Sequence, residues 1–233
     1  MQTGKGQVIE LILQDGLRNA RLSCLGNLIP APGQYLLSGD ASDSPLPVPL
    51  FYTDSAPSGF IAAPPVPDSW KPGQKIHLRG PLGRGFTLPR SARRVALVAY
   101  DDTPARLRGL IRSALRQDAA VVLVADSAPD HLPYDVEVQP LSTLSEVCEW
   151  SDYMAFDVAR ENLPELGKRL GSLNQMSAYR EAQVLIRTLM PCGGVAECGV
   201  CAVTLKPNWK MACKDGPVLD WSEFSSPFGE GED

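Results

Sequence analysis

"CGGVAECGVCAVTLKPNWKMACKDGP", residues 192–217, gathers four of the chain's six cysteines into one short stretch. Their spacing is Cys192-x5-Cys198-x2-Cys201-x11-Cys213. Disulfides, a zinc ion and an iron–sulfur cluster are the chemistries open to thiols so placed. Structural zinc usually takes two C-x2-C pairs on separate turns, and here Cys198/Cys201 is the single such pair. A plant-type [2Fe–2S] cluster uses C-x4-C-x2-C with a distant fourth cysteine. This loop departs from that pattern by one residue in the first gap. The spacing therefore favours a [2Fe–2S] cluster held by Cys192, Cys198, Cys201 and Cys213, with zinc as the alternative.

The residues between the thiols suit that chemistry. Sulfides and thiolates carry negative charge and accept backbone N–H hydrogen bonds, so the loop must curl its amides inward. Gly193, Gly194 and Gly199 permit the positive φ values such a curl needs. Val195, Ala196, Val200 and Ala202 are placed to keep water off a cluster. Lys206, Lys210 and Lys214 are candidates to offset its charge, although solvated surface is the plainer account of three lysines.

Composition narrows the setting. The chain has 233 residues, 44% hydrophobic and 21% charged, with a net charge of -5. That is the balance of a water-soluble globular protein with room for one large domain or two smaller ones. An acidic chain is a poor match for nucleic acid, which needs a basic surface. The opening "MQTGKGQVIELILQDG" has no basic segment leading into an apolar run. Nor does any stretch approach the ~18 apolar residues of a membrane span. A cytoplasmic location is expected, and disulfides are disfavoured there. Cys24 ("RLSCLGN") and Cys148 ("SEVCEW") read as buried, inert thiols.

Upstream of the cysteines the sequence changes character once. Residues 1–90 carry short apolar runs ("QVIELILQ", "QYLLSG", "KIHLRG") broken by Pro, Gly, Asp and Ser, the pattern of an antiparallel β-barrel or sandwich. "AAPPVPDSWKPGQ" reads as a surface connection, not a central strand. Residues 91–185 alternate differently. "RRVALVAYD", "AAVVLVAD" and "YDVEVQPLS" read as strands. "TPARLRGLIRSALRQD" reads as a helix with Leu107, Leu110, Ile111 and Leu115 on one side. "LPELGKRLGSL" and "SAYREAQVLIRTLM" read as two more helices. Such alternation predicts a parallel sheet with helices on its faces. The organisation expected is thus a barrel (1–90), a Rossmann-like α/β domain (91–185) and a cysteine segment ending in the acidic tail "GEGED" (186–233).

With those regions in place the chain resembles a known family. "CGGVAECGVCAV…ACKDGPVLDW" after "LIRTLMP" is similar to the C-terminal [2Fe–2S] segment of dihydroorotate dehydrogenase B electron-transfer subunits, which are ferredoxin–NADP reductase-like flavoproteins. "PGQY" (Pro32–Tyr35) and "LRGPLGRGFTLP" (Leu78–Pro89) resemble that family's PGQF and GPLG-x-GF segments. The resemblance implies a flavin-binding barrel, a nucleotide-binding α/β domain and the cluster, in that order. It implies that Tyr52 and Thr53, in "PVPLFYTDS", occupy the aromatic and hydroxyl positions of the flavin-holding strand.

Three departures bear on the cofactors. No arginine stands upstream of Tyr52. "AAPPVPDS" occupies the place of a Gly-Thr turn, and "VALVAYDDTPARL" the place of a glycine-rich one. Asp101 and Asp102 put negative charge where an anion should sit, and Thr103–Pro104 read as an ordinary helix cap. NAD(H) bound in the family's manner is therefore not expected. FAD stays among the ligands the resemblance implies, with Tyr52 as barrel core the competing account.

His77 and His131 read as structural, and no hydrolase triad, P-loop or H-E-x-x-H motif is present. The function expected is electron relay: a [2Fe–2S] subunit serving a catalytic dehydrogenase partner in a hetero-oligomer of pyrimidine biosynthesis. Trp209, Met211 and the turn "KDGPV" are expected at the docking face. The alternative is a noncatalytic zinc-bearing or scaffold subunit that keeps the reductase fold.

Overall fold

The computed structural model describes residues 2–14, 16–39, 46–101, 103–126, 129–171, 181–205 and 208–224. Asp102, Lys206 and the acidic tail lie outside the described residues. Six antiparallel strands come first: β1 (Gln2–Gln14), β2 (Leu17–Ser23), β3 (Tyr35–Gly39), β4 (Val48–Ala56), β5 (Gly59–Ala62) and β6 (Lys75–Leu82). They close in the order β1-β2-β5-β4-β3-β6, which leaves no unpaired edge. Alternation sets the inside. Along β6, Ile76 and Leu78 point inward and meet Val8, Leu22, Leu36, Leu50 and Phe60. The proline-rich connection is not a strand, as expected, yet it is more than surface, because Val66 and Trp70 are buried in the barrel core.

An α/β unit follows. β7 (Arg94–Ala99) leads to α1 (Arg108–Leu115), β8 (Ala120–Val124) and β9 (Val136–Gln139). α2 (Leu144–Trp150), β10 (Tyr153–Ala159), α3 (Leu163–Gly171) and β11 (Glu181–Arg187) complete it. The parallel order is β9-β8-β7-β10-β11. Leu107, Leu110 and Ile111 are buried and Leu115 half-buried, as the helical period implies. The cap is also as read: Thr103 Oγ1 accepts from the Ala105 amide at 3.2 Å, with Pro104 at the first position.

One helix expectation is overturned. Within "SAYREAQVLIRTLM", residues Glu181–Arg187 form strand β11; Ser177–Arg180 lie outside the described residues. All seven residues of β11 pair in parallel with β10. Buried Val184, Leu185 and Ile186 form the continuous apolar run of a strand covered on both faces, and that long-range pairing outweighs local helix preference.

The cysteine segment wedges between barrel and sheet. A hairpin of β12 (Ala202–Thr204) and β13 (Trp209–Met211) leads to β14 (Val218–Asp220), which pairs antiparallel with β11 at the sheet edge. The motif stretches of the barrel form its seat. The Arg84 amide donates to Gly216 O at 2.5 Å, and Tyr35 Oη donates to Cys213 O at 2.6 Å. At Gly33 (φ +85°) a Cβ would lie 2.6 Å from Val218 Cγ2, so glycine is required for this close approach.

Candidate metal centre

The loop between β11 and β12 carries Cys192, Cys198 and Cys201, the turn after β13 brings in Cys213, and the four thiols fall into two pairs. The Cys198 thiol donates to Cys192, and the Cys213 thiol lies within hydrogen-bond reach of Cys201. The pairs adjoin, because the charge of Cys192 is felt at Cys213. Cys201 and Cys213 are buried, Cys192 is half-buried and Cys198 exposed, so the arrangement runs from the interior to the surface. Among the described residues no group of three or more His, Cys, Asp or Glu side chains closes round one point as a single-ion site would.

Backbone direction produces this arrangement. Gly193, Gly194 and Gly199 all take positive φ, at 65°, 81° and 72°, as the curl required. Ala196 does so too, at 65°, a conformation unfavourable for a residue with a Cβ. The result is that the amides of Ala196, Glu197 and Cys198 all donate toward Cys192 Sγ. Burial alone would push the Cys192 thiol up. The Cys198 thiol and those three amides more than offset it and pull it down to about 6. Cys213 moves the opposite way. Burial, then the hydrogen bond with Cys201 and the charges of Cys201 and Cys192, push it up to about 12. Tyr35 is raised as well, first by burial and then by the sulfurs of Cys213 and Cys201. One thiol is thus stabilised as thiolate while Cys213 and Tyr35 resist ionising beside it, chiefly through burial.

The remaining expected residues sort differently. Val195 and Val200 face solvent instead of shielding the thiols, and Trp209 is 63% exposed. Met211, expected at the docking face, is buried with Sδ 3.9 Å from Cys201 Sγ. In the turn "KDGPV", Gly216, Pro217 and Val218 are buried against the barrel, leaving Lys214 exposed. Lys210 pairs with Glu223 and so does not face the sulfurs. Burial raises the half-buried Cys24 thiol, and Cys148 is 1% exposed, in keeping with inert roles. His131 stands in a positive-φ turn. His77 is exposed on β6, where with Lys5 and Arg79 it lines a cleft of about 600 Å³ ending at Cys192 and Gly193.

Tyr52 and Thr53 sit together on β4, at a bulge where pairing to β5 shifts between Tyr52 and Asp54. The Tyr52 ring stacks on Phe60, with centroids 6.2 Å apart. Thr53 is 2% exposed. Sequence reasoning missed Arg106, Asp157 and Arg187, three charged residues clustered with Asp101 at the carboxyl ends of the strands. The one available signal was a charge, Asp157, inside the apolar run "YMAFDVA".

Barrel, parallel sheet and a cysteine segment in that order define the class: a ferredoxin-reductase-like fold. A solved NADH-dependent reduced ferredoxin–NADP oxidoreductase, studied for flavin-based electron bifurcation, superposes with a TM-score of 0.71 at 15% identity. The superposition covers 94% of this chain and 89% of that one. The Amycolatopsis cytochrome P450 reductase GcoB follows at 0.58 and 16% identity, covering 79% of this chain and 69% of its own. Within that class, residues 188–225 match the iron–sulfur cluster binding domain of dihydroorotate dehydrogenase B. The chain is 27% identical to the electron transfer subunit of dihydroorotate dehydrogenase B (NAD(+)) of Desulforamulus reducens. That alignment spans 82% of this chain and 85% of the relative. No helix among the described residues is long and apolar enough to cross a membrane.

Proposed function

We propose that the chain is the electron-transfer subunit of a dihydroorotate dehydrogenase-type complex. In this reading Cys192, Cys198, Cys201 and Cys213 hold one [2Fe–2S] cluster, and a catalytic partner subunit carries out the two-electron chemistry in the cytoplasm. The observation that carries the reading is the match of residues 188–225, which hold all four cysteines, to the iron–sulfur cluster binding domain of dihydroorotate dehydrogenase B. A two-iron cluster takes four thiolates, two to each iron, and the sequence Cys192/Cys198 and Cys201/Cys213 supplies two adjoining pairs. Zinc would need all four round one ion. The residues also fit the group electrically, since three amides aimed at Cys192 lower the cost of a negative sulfur there.

When bound, the cluster supplies one-electron transfer. The chain's own residues do the rest. Gly193, Gly194 and Gly199 curl the loop, the Ala196–Cys198 amides donate to sulfur, and Tyr35 fixes the carbonyl of Cys213. Cys198, the exposed thiol, marks the side from which a partner approaches most closely. Iron and sulfide assay of protein purified anaerobically from iron-replete cells tests the reading. About two irons per chain, with visible absorption that bleaches on reduction, is the expected result. Stoichiometric zinc without iron would overturn it in favour of a noncatalytic zinc-bearing subunit.

A further inference from the structure

We infer that this chain holds neither a flavin nor a nicotinamide dinucleotide, because Arg106 joins the two backbone segments between which the pyrophosphate of either would lie. The inference rests on the reading above and departs from the cofactors its fold class implies.

The strand order reverses between β7 and β10. In open α/β sheets a dinucleotide lies across the carboxyl ends of the strands at that reversal, its pyrophosphate on a glycine-rich turn at a helix start. Here the place is filled by the protein's own charges. Asp157, 1% exposed in β10, accepts from Arg106 Nε at 2.7 Å and from Arg187 Nε at 2.8 Å. Arg187 also pairs with Asp101 at 2.5 Å, and the Ala159 amide and Asn162 Nδ2 donate to Asp101 as well. Among the described residues two carboxylates face two guanidiniums here, so these charges balance one another.

Arg106 is 1% exposed and reaches further. Its Nη1 donates to Pro64 O at 2.6 Å, in the barrel connection that stands where a Gly-Thr turn would help hold a flavin pyrophosphate. One guanidinium therefore spans both phosphate-binding positions. A gap of about 300 Å³ remains between Pro64–Val66 and Thr103. That is the lower limit of the roughly 300–1,000 Å³ that hold drug-sized ligands, and FAD is larger than those.

The strand that the resemblance assigns to the flavin ring offers no better access. One side of Tyr52 stacks on Phe60, and the ring also packs against α1: a Cβ at Gly109 would lie 2.7 Å from Tyr52 Cδ1 and Cε1. Arg112 of α1 pairs with Asp54 at 3.1 Å and donates to Ser55 Oγ at 2.9 Å, tying the helix to β4 just beyond Tyr52 and Thr53. Thr53 Oγ1 is buried without a hydrogen-bond partner among the described residues, but so are Asn19 Oδ1, Ser38 Oγ and Trp70 Nε1 elsewhere in the barrel. The orphan does not single out a flavin site. Electrons must then both enter and leave this chain through the cysteine segment, from and to redox groups carried by partner chains.

Iron, acid-released flavin and calorimetric binding of FAD and NADH, measured on one anaerobic preparation of the full chain, test the inference. Substoichiometric flavin and dissociation constants of about 1 mM or weaker for both ligands are expected. Stoichiometric FAD, or micromolar binding of either ligand, overturns it whatever the iron content. Protein lacking both iron and flavin leaves the inference standing and sinks the proposed function instead. In the complex with the dehydrogenase partner, Tyr52→Leu should leave flavin content unchanged; loss of one flavin per copy of this chain would also overturn the inference.

Discussion

The cysteine loop and the carboxyl edge of the parallel sheet adjoin at the end of β11, yet they are completed in different ways. At the sheet edge each charge meets its opposite: Arg106 with Asp157, Arg187 with Asp157 and Asp101. In the cysteine segment, the four sulfurs fall into two pairs and three amides converge on Cys192. The first region satisfies itself. The second collects donors and ligands whose natural complement is a group the polypeptide does not supply. Both occupy places where a fold of this class can carry a cofactor, so fold alone does not distinguish them. The accounting of partners does.

The sharpest way to break the comparison is at the thiols. Replacing Cys192, Cys198, Cys201 or Cys213 singly by Ser should abolish or strongly perturb the visible spectrum and lower iron per chain. Cys24→Ser and Cys148→Ser should leave both unchanged. If Cys24→Ser removed iron, the ligand assignment would be wrong.

The sheet edge should respond in stability and not in iron. Removing one member of a buried pair, as in Asp157→Ala, strands Arg106 and Arg187 and should cost about 3–5 kcal/mol in urea unfolding. Exchanging both members for apolar residues of similar volume, Arg106→Met with Asp157→Leu, should recover most of that loss. Iron content should stay at the wild-type value in the double variant. A double variant as unstable as the single one would mean that the network does more than satisfy itself.

The comparison also explains what was legible from sequence. The proposed ligand set lay in one stretch, and its spacing carries chemistry that needs no tertiary information. The barrel, the parallel sheet and the Thr103–Pro104 cap were legible because alternation, apolar runs and capping are local signals. β11 was misread as a helix, and β10 was not recognised, because their strand character comes from pairing with each other and with β7. Arg106 was hidden for a stronger reason. Its partners, Pro64 and Asp157, stand 42 and 51 residues away, and nothing local marks an arginine as buried. Met211 and Trp209 looked alike in sequence and share one face of the short strand β13, yet Met211 is covered by Cys201 while Trp209 extends past the packed region into solvent.

A pair of glycines sharpens the account of the loop. Both Gly194 and Gly199 adopt positive φ, but a Cβ at Gly194 would lie 2.8 Å from Tyr35 Oη, whereas Gly199 has open space. Gly199→Ala should therefore cost only the conformational term, about 1–2 kcal/mol. Gly194→Ala should add the loss of the Tyr35–Cys213 hydrogen bond, for a total of about 2–3 kcal/mol, and should release iron faster to a chelator. Equal losses in the two variants would show that Tyr35 does not hold the loop.

The smallest effect on the fold should come from Trp209→Ala, and that is what makes it informative. Trp209 projects from β13 with most of its surface in water, while its neighbour two residues on, Met211, is buried against Cys201. Truncating Met211 should cost about 2–5 kcal/mol and disturb the visible spectrum, as large-to-small changes in a core do. Truncating Trp209 should change stability by no more than about 0.5 kcal/mol and leave the spectrum intact. Exposed tryptophans are nevertheless frequent anchors of protein interfaces, where loss of one costs about 2 kcal/mol or more, which is more than tenfold in affinity. Leu189, Val195 and Val200 are also exposed on the stretch that carries the thiols, so a partner drawing electrons through Cys198 would meet apolar side chains beside it. Co-purification and calorimetry with the dehydrogenase subunit should therefore register Trp209→Ala strongly, although the isolated chain does not. Unchanged affinity would move the docking face off β13, leaving the cleft lined by Lys5, His77 and Arg79 on the barrel side of Cys192 as the next surface to test.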